Sequence, residues 1–196
     1  MSDSFYSTPQ SEVGLEEVAE EGEYYVVSTL KFTMLYISTL GIYALYWFYR
    51  NWKLHKIKQR LDIWPIPRAI FAIFFIHSLF NNVNSKLKDS GSDFSWKSNV
   101  MATLFIVLSI GSSVCDRLAD SEIGLPYTTF VSLIILPFTF YILLKAQKAI
   151  NTAENDPTGS TNSSITLLNC VWIFLGLLIW GAAIIGVLVV SGVIVI

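Results

Sequence analysis

Residues 165–196 read ITLLNCVWIFLGLLIWGAAIIGVLVVSGVIVI and contain no charged side chain. A helix of about 20 mostly apolar residues crosses the hydrocarbon core of a bilayer, which is about 30 Å thick. Backbone polar groups find no water inside that core, so a crossing segment of this kind must be helical. The stretch therefore predicts a transmembrane helix and places the chain among membrane proteins.

The composition of the whole chain agrees with this interpretation. Of its 196 residues, 53% are hydrophobic and 14% are charged, whereas soluble domains have about 25% charged residues. These values exclude a disordered chain, a disulfide-rich secreted module and a nucleic-acid binder with a basic surface. An integral membrane protein is the class that remains.

Four further intervals without charge precede the last one and predict an all-α fold, a polytopic transmembrane helix bundle with four to five hydrophobic helices. We expect one transmembrane domain over residues 29–196, preceded by an acidic, flexible tail at 1–28. The predicted segments lie at about 30–50, 66–85, 98–116, 124–146 and 165–193.

The segment at 66–85 is the weakest candidate for a crossing helix. Its clearly apolar part is about twelve residues long, a length typical of re-entrant or interfacial segments. Lys and Arg concentrate on the cytoplasmic side of a membrane. If all five segments cross, seven Lys and Arg residues lie inside and six outside. If 66–85 returns without crossing, eleven lie inside and two outside. We therefore expect four crossings with the acidic tail outside; a variant in which the first two segments both dip in and return, with the N-terminus inside, is nearly as good.

An aromatic and basic run at 41–53 reads GIYALYWFYRNWK. Trp and Tyr favour the headgroup level of a membrane, so an interface anchor is the preferred interpretation and a docking surface for a partner helix or lipid headgroup is the alternative. The basic positions that follow suit an anionic leaflet or a solvated cytoplasmic loop equally well. The candidate lipid or partner interface comprises Tyr43, Tyr46, Trp47, Tyr49, Arg50, Trp52, Lys53, Lys56 and Arg60.

Polar side chains inside the apolar segments form a second candidate group: His77, Gln147, Asn151 and Asn169. Gln147 and Asn151 are four residues apart on one helix face and could bond to Asn169, which favours contacts between helices over a substrate site. Ala182 and Gly186 have the spacing of a small-residue pair, which serves internal packing or homo-oligomerisation.

The pattern Gly-x-Tyr-x-x-Tyr-Trp-Phe-Tyr-x-Asn-Trp-Lys at 41–53 resembles a family of small, uncharacterised bacterial integral membrane proteins grouped as DUF4234. A looser second block includes Leu136-Pro137, residues 147–151, Asn169-x-x-Trp172 and Leu175-Gly176-x-x-x-x-Trp180. The resemblance implies a location in the bacterial cytoplasmic (inner) membrane. It implies no activity.

The sequence contains no phosphate-binding loop, zinc-protease motif or nucleophile elbow. We therefore expect a non-enzymatic multi-pass protein, a partner- or lipid-interacting envelope component, with no catalytic residues, cofactor or metal. Its expected partners are the lipid bilayer, anionic lipids, and a membrane protein or a second copy of itself, and not nucleic acid. A small channel or transporter is the alternative.

Overall fold

The computed structural model describes residues 22–194, and the predicted tail at 1–28 therefore lies mostly outside the described residues. In this part of the chain the fold is all-helical and without strands. The elements are α1 (Thr29–Ser38), α2 (Tyr43–Lys58), α3 (Pro65–Ile70), α4 (Ala72–Asp89), α5 (Ser98–Asp120), α6 (Tyr127–Ala153), a 3₁₀ turn (Ser160–Asn162) and α7 (Leu167–Val190).

The predicted segment 30–50 is two helices rather than one. The helix breaks at residues 39–42, where Leu40 and Gly41 have φ of 49° and 85°. Thr39 stabilises the break, because its hydroxyl donates to the Leu35 carbonyl at 2.7 Å and accepts from the Tyr43 N–H at 3.0 Å. The ten residues of α1 rise about 15 Å, half the thickness of the hydrocarbon core.

Helices α1 and α2 form a hairpin whose two open ends lie at the same face of the molecule. Phe32 of α1 packs edge-on against Trp47 of α2, with ring centroids 6.3 Å apart. Glu23, before α1, contacts His55, near the end of α2, at 2.8 Å. The two ends of the first predicted segment therefore lie together, as the variant with two returning segments expects and the preferred four-crossing arrangement does not; the side of the N-terminus stays a prediction.

The predicted segment 66–85 is also divided, at Phe71, between α3 and α4. Helix α3 begins with Pro65, which has no N–H to leave unpaired at a helix start. Within residues 22–194, three helices, α5, α6 and α7, are long and apolar enough to cross a membrane. The predicted count of four to five crossing helices is not confirmed.

Helix α7 touches the rest of the bundle mainly near its middle. Gly176 is its only buried residue among those described, and the Trp180 indole N–H donates to the Ile37 carbonyl at 2.8 Å. Nothing described lies within 4 Å of the point where a Cβ would stand at Gly186, and Ala182 is exposed. The predicted Ala182–Gly186 pair therefore does not pack within this chain; the close approach occurs at Gly176.

Candidate functional site

The core of the molecule receives a short non-helical segment, residues 23–28, that precedes α1. Tyr24 and Val27 are almost fully buried, at 1% and 0% exposure. A buried backbone N–H or C=O must find a hydrogen-bond partner, and an irregular segment cannot provide partners for itself. The partners come from side chains of three other elements.

Amide side chains of α2 and α6 pair with this backbone. Asn51 accepts from the Tyr25 N–H at 3.1 Å, and Gln147 donates to the Tyr25 carbonyl at 3.0 Å. Asn151 pairs with both groups of Val27: its oxygen accepts from the N–H at 3.3 Å and its NH₂ donates to the carbonyl at 2.9 Å. We call Asn51, Gln147 and Asn151 the amide seat.

The amide seat is tied together by hydrogen bonds among its own members and to Trp47. Gln147 donates to Asn151 at 2.7 Å, and its oxygen accepts from the Trp47 indole N–H. Asn51 donates to the Trp47 carbonyl at 2.8 Å. All four side chains are fully buried, so each needs these partners to offset the cost of leaving water.

The loop after α6 closes the other side of the segment. Asn162 donates to the Val26 carbonyl at 2.9 Å, and its own carbonyl accepts from the Ser28 N–H at 3.2 Å. The Lys31 ammonium donates to Asn162 at 2.6 Å. Gly159, with φ of 68°, lies so close to Val27 that a Cβ would stand 2.5 Å from its carbonyl. The loop is therefore an ordered part of the site.

An ion cluster lies at the start of the segment, where Glu23, His55, Lys86 and Glu154 meet. Lys86 donates to Glu154 at 2.6 Å and lies 3.4 Å from the second oxygen of Glu23. Glu154 also accepts from the Tyr24 N–H at 2.8 Å. The four residues come from the segment, α2, α4 and the end of α6, so the cluster joins four separate parts of the chain.

The two ring nitrogens of His55 have different partners. Nδ1 lies 2.8 Å from a Glu23 oxygen, and Nε2 lies 3.2 Å from the side-chain nitrogen of Asn82. Both contacts are satisfied when Nδ1 carries the proton and donates to Glu23 while Nε2 accepts from Asn82. The histidine thus links the segment to both α2 and α4.

The cluster holds Glu23 in its charged form. Burial raises the pKa of the Glu23 carboxyl, but hydrogen bonds from His55 and Gln59 and the charge of Lys86 outweigh it and lower the pKa from 4.5 to about 2. The ionised carboxylate therefore stabilises the folded protein fully above pH 4.5, and this contribution is lost as the pH falls toward 2.

We expect Glu23→Gln to be less stable than the wild type at neutral pH, with the difference narrowing as the pH falls from 4.5 toward 2. Thermal unfolding in detergent micelles, followed by circular dichroism across this range, measures the difference. Asp89→Asn, which changes an exposed acid at the end of α4, is the matched control and should give a difference from wild type without that narrowing. Parallel pH profiles for wild type and Glu23→Gln would contradict the assignment.

Only some residues of the predicted lipid or partner interface are accessible in the structure. Tyr43, Trp47 and Trp52 are buried at 6%, 0% and 1% exposure, so these three belong to the core and not to an accessible surface. These three side chains are buried because α2 packs the face that carries them against α1, α4 and α6. Accessible or partly accessible are Tyr46, Tyr49, Arg50, Lys53, Lys56 and Arg60.

The predicted polar cluster is brought together only in part. Gln147 and Asn151 are bonded, but His77 lies 3.3 Å from the Thr103 hydroxyl on α5. Asn169 caps its own helix through a reciprocal pair with Thr166. The amides of α6 therefore bond to segment 23–28 and not across to Asn169.

Several residues of the site were not singled out from the sequence: Glu23, Asn51, His55, Lys86 and Glu154. Asn51 follows Trp47 by four residues in the aromatic run, a spacing that puts both on one helix face. That spacing could have indicated a shared partner. The other four are far apart in sequence, and no local pattern predicts their meeting.

No protein-family model, curated protein or solved structure matches the chain. Any chemical role assigned to this site therefore rests on its geometry. Within residues 22–194 there is no group of three or more His, Cys, Asp or Glu side chains that could hold a metal ion. Neutral amides that pair with a backbone are suited to recognition and positioning.

Proposed function

We propose that this protein is a non-enzymatic multi-pass membrane protein that engages anionic lipid at one face of the bacterial cytoplasmic (inner) membrane. The bacterial location rests on the resemblance of residues 41–53 to DUF4234 proteins. The remainder of the proposal rests on the placement of charges and of exposed apolar side chains.

The distribution of bases supports one orientation. With α5, α6 and α7 as the crossing helices, ten of the 13 Lys and Arg residues precede α5, two lie near the end of α6, and only Arg117 lies toward the opposite end. Lys and Arg favour the cytoplasmic side. We therefore assign the face that carries the ion cluster to the cytoplasm and name it the basic face.

An exposed apolar surface next to these bases carries the lipid proposal. Helix α3 and the start of α4 expose Trp64 at 73% and Phe74 at 72%. The exposed apolar residues of this surface are Trp64, Ile66, Ile70, Phe71 and Phe74. Large apolar side chains beside Lys and Arg are typical of elements that lie in the headgroup region of an anionic leaflet.

The preceding residues provide the charge. Lys58 and Arg60 are exposed, Lys53 and Lys56 are half-buried, and all four lie within the twelve residues before Trp64. A base near an anionic surface contributes about 1 kcal/mol. The combination favours phosphatidylglycerol or another anionic lipid over a zwitterionic one.

We expect the double variant Lys56→Gln, Arg60→Gln to lose about tenfold or more of its preference for anionic lipid, because two such contacts are removed. Native mass spectrometry of protein in mixed micelles of phosphatidylglycerol and phosphatidylcholine measures the preference. Lys88→Gln, Lys97→Gln, at two exposed bases of the same face, is the matched control and should retain most of it. Equal losses in both double variants, or no preference in the wild type, would refute the proposal.

A small channel or transporter is a second candidate, favoured by a cleft of about 500 Å³ between α5 and α6. Serine hydroxyls and Asp116 line it, and it reaches Gly41 at the tip of the α1–α2 hairpin. Tyr36 and Thr139, bonded at 3.0 Å, lie at this inner end. Beyond them Gln147 and Asn151 are committed to segment 23–28, so a complete path would require that segment to move.

A further inference from the structure

We infer that the cleft between α5 and α6 is a binding site for a monovalent metal cation, with Asp116 as its charged ligand. The cleft is set apart from the amide seat: Thr139, at its inner end, precedes Gln147 by eight residues of α6, or about 12 Å. The lipid-binding proposal does not involve this site, whereas the transporter candidate rests on the same cleft and would use it.

One face of α5 supplies most of the polar lining. Ser109, Ser112, Ser113 and Asp116 follow the spacing i, i+3, i+4 and i+7, and all four line the cleft. Ser109 and Ser112 are half-buried, whereas Ser113 and Asp116 are exposed, so the row leads to an accessible carboxylate four residues before the end of α5. Ser112 and Asp116 contact Ser132 of α6, and Ser109 and Ser113 also border a second cavity beside Ile73 of α4.

The oxygens converge near the outer end of this row. The Ser132 hydroxyl of α6 donates to the Asp116 carboxylate at 2.5 Å and lies 3.4 Å from the Ser112 carbonyl. The Ser132 oxygen thus joins a carboxylate and a carbonyl of α5. The Ser132 proton links these oxygens in this structure, and a bound cation would take over that role.

Pro137 frees one backbone carbonyl of α6. Proline has no N–H, so the carbonyl of Leu133, four residues earlier, loses its usual helical partner. Leu133 lines the cleft together with Ser132. Backbone carbonyls freed by an interruption of a membrane helix are recurrent ligands of alkali cations.

The charge of the lining favours a monovalent metal ion over an anion or a divalent ion. The described residues around the cleft include one carboxylate and no Lys, Arg or His. An anion would meet a negative charge with no compensating base. Ca²⁺ and Mg²⁺ generally require several carboxylates or many waters, whereas hydroxyls, a carbonyl and one carboxylate suit Na⁺ or K⁺.

Thermal unfolding of the full-length protein in zwitterionic detergent tests this inference, with NaCl, KCl and choline chloride compared at equal ionic strength. We expect Na⁺ or K⁺ at ten times its Kd to raise the midpoint by about 3–6 °C over choline. Asp116→Asn should weaken the apparent affinity about tenfold or more, because it removes the charged ligand. Its midpoint in choline shows separately whether the variant folds.

Asp120→Asn is the matched control, since Asp120 lies on the same helix, is exposed, and does not line the cleft. It should keep the full ion effect, whereas Ser132→Ala should reduce it. Equal midpoints in all three salts for the wild type would overturn the inference. Equal reductions in Asp116→Asn and Asp120→Asn would also overturn it, because they would show general screening. Neither result bears on lipid binding at the basic face.

Discussion

Replacing Asn151 by Leu is expected to lower the free energy of unfolding by about 3–5 kcal/mol. Leu has a similar volume but offers neither donor nor acceptor. The N–H and the carbonyl of Val27 would both lose their partner, and Gln147 would lose one acceptor. Each unpaired buried group costs about 1–3 kcal/mol, and the site is fully buried, so water cannot replace the amide.

Titration with sodium dodecyl sulfate, followed by circular dichroism, measures this loss. Hydrogen exchange gives a second readout, because the Val27 amide should lose protection in Asn151→Leu before the helices do. Asn99→Leu, the same substitution at an exposed position on α5, should change stability by less than about 0.5 kcal/mol. If Asn151→Leu left both stability and Val27 protection unchanged, the amide seat would not hold the segment.

Replacing Gly176 by Ala is expected to detach α7 from α1 or to cost about 3 kcal/mol or more in stability. A Cβ at this position would stand 2.1 Å from the Ser38 carbonyl oxygen and 2.6 Å from its carbon. Both are backbone atoms at the tip of the α1–α2 hairpin, so no rotamer change can relieve the overlap. The helix must move away, which also stretches the bond from Trp180 to Ile37.

Gly181→Ala provides the control on the same helix. Nothing described lies within 4 Å of its Cβ position, and Ala favours a helix by about 0.5–1 kcal/mol over Gly. Trp180→Phe, which removes the indole donor to the Ile37 carbonyl, reports the contact directly. It should lower stability in an otherwise wild-type or Gly181→Ala background and have little further effect in Gly176→Ala; an equal loss in Gly176→Ala would contradict the contact.

The membrane character and the helical class follow from local properties of the chain. Residues 98–116, 124–146 and 165–193 were predicted as segments, and the structure places α5, α6 and α7 there. Long apolar runs leave one solution for the backbone in lipid, because each N–H must be paired within the segment. Formation of such a helix depends only on residues close together in the sequence.

The first predicted segment shows what hydropathy alone does not predict. Residues 30–50 are apolar enough for a span, but Thr39, Leu40 and Gly41 turn the chain back. Hydropathy measures whether a stretch prefers lipid and not whether it continues in one direction. The aromatic run was assigned to the surface for a related reason, since Trp47 is amphipathic and suits either an interface or a buried site with a hydrogen-bond acceptor.

The sequence predicted only part of the amide seat, namely Gln147 and Asn151. Gln147 and Asn151, four residues apart on one helix face, were predicted to bond across to Asn169; they are bonded to each other at 2.7 Å. Their common partner, the backbone of Tyr25 and Val27, lies more than 120 residues away. An irregular backbone leaves no pattern in the sequence, so nothing local indicates that it is the ligand of those amides.

The sequence by itself determined that this protein is helical and suited to a bilayer, because apolar length and backbone pairing are properties of each segment. Only the tertiary structure decided which segments return, which polar side chains meet, and which glycine carries the helix contact. Those outcomes depend on distances between groups remote in the chain: Glu23 with Lys86 and Glu154, Asn151 with Val27, Gly176 with Ser38. The low charged fraction indicated a membrane, and the packing of a few polar side chains decided the architecture within it.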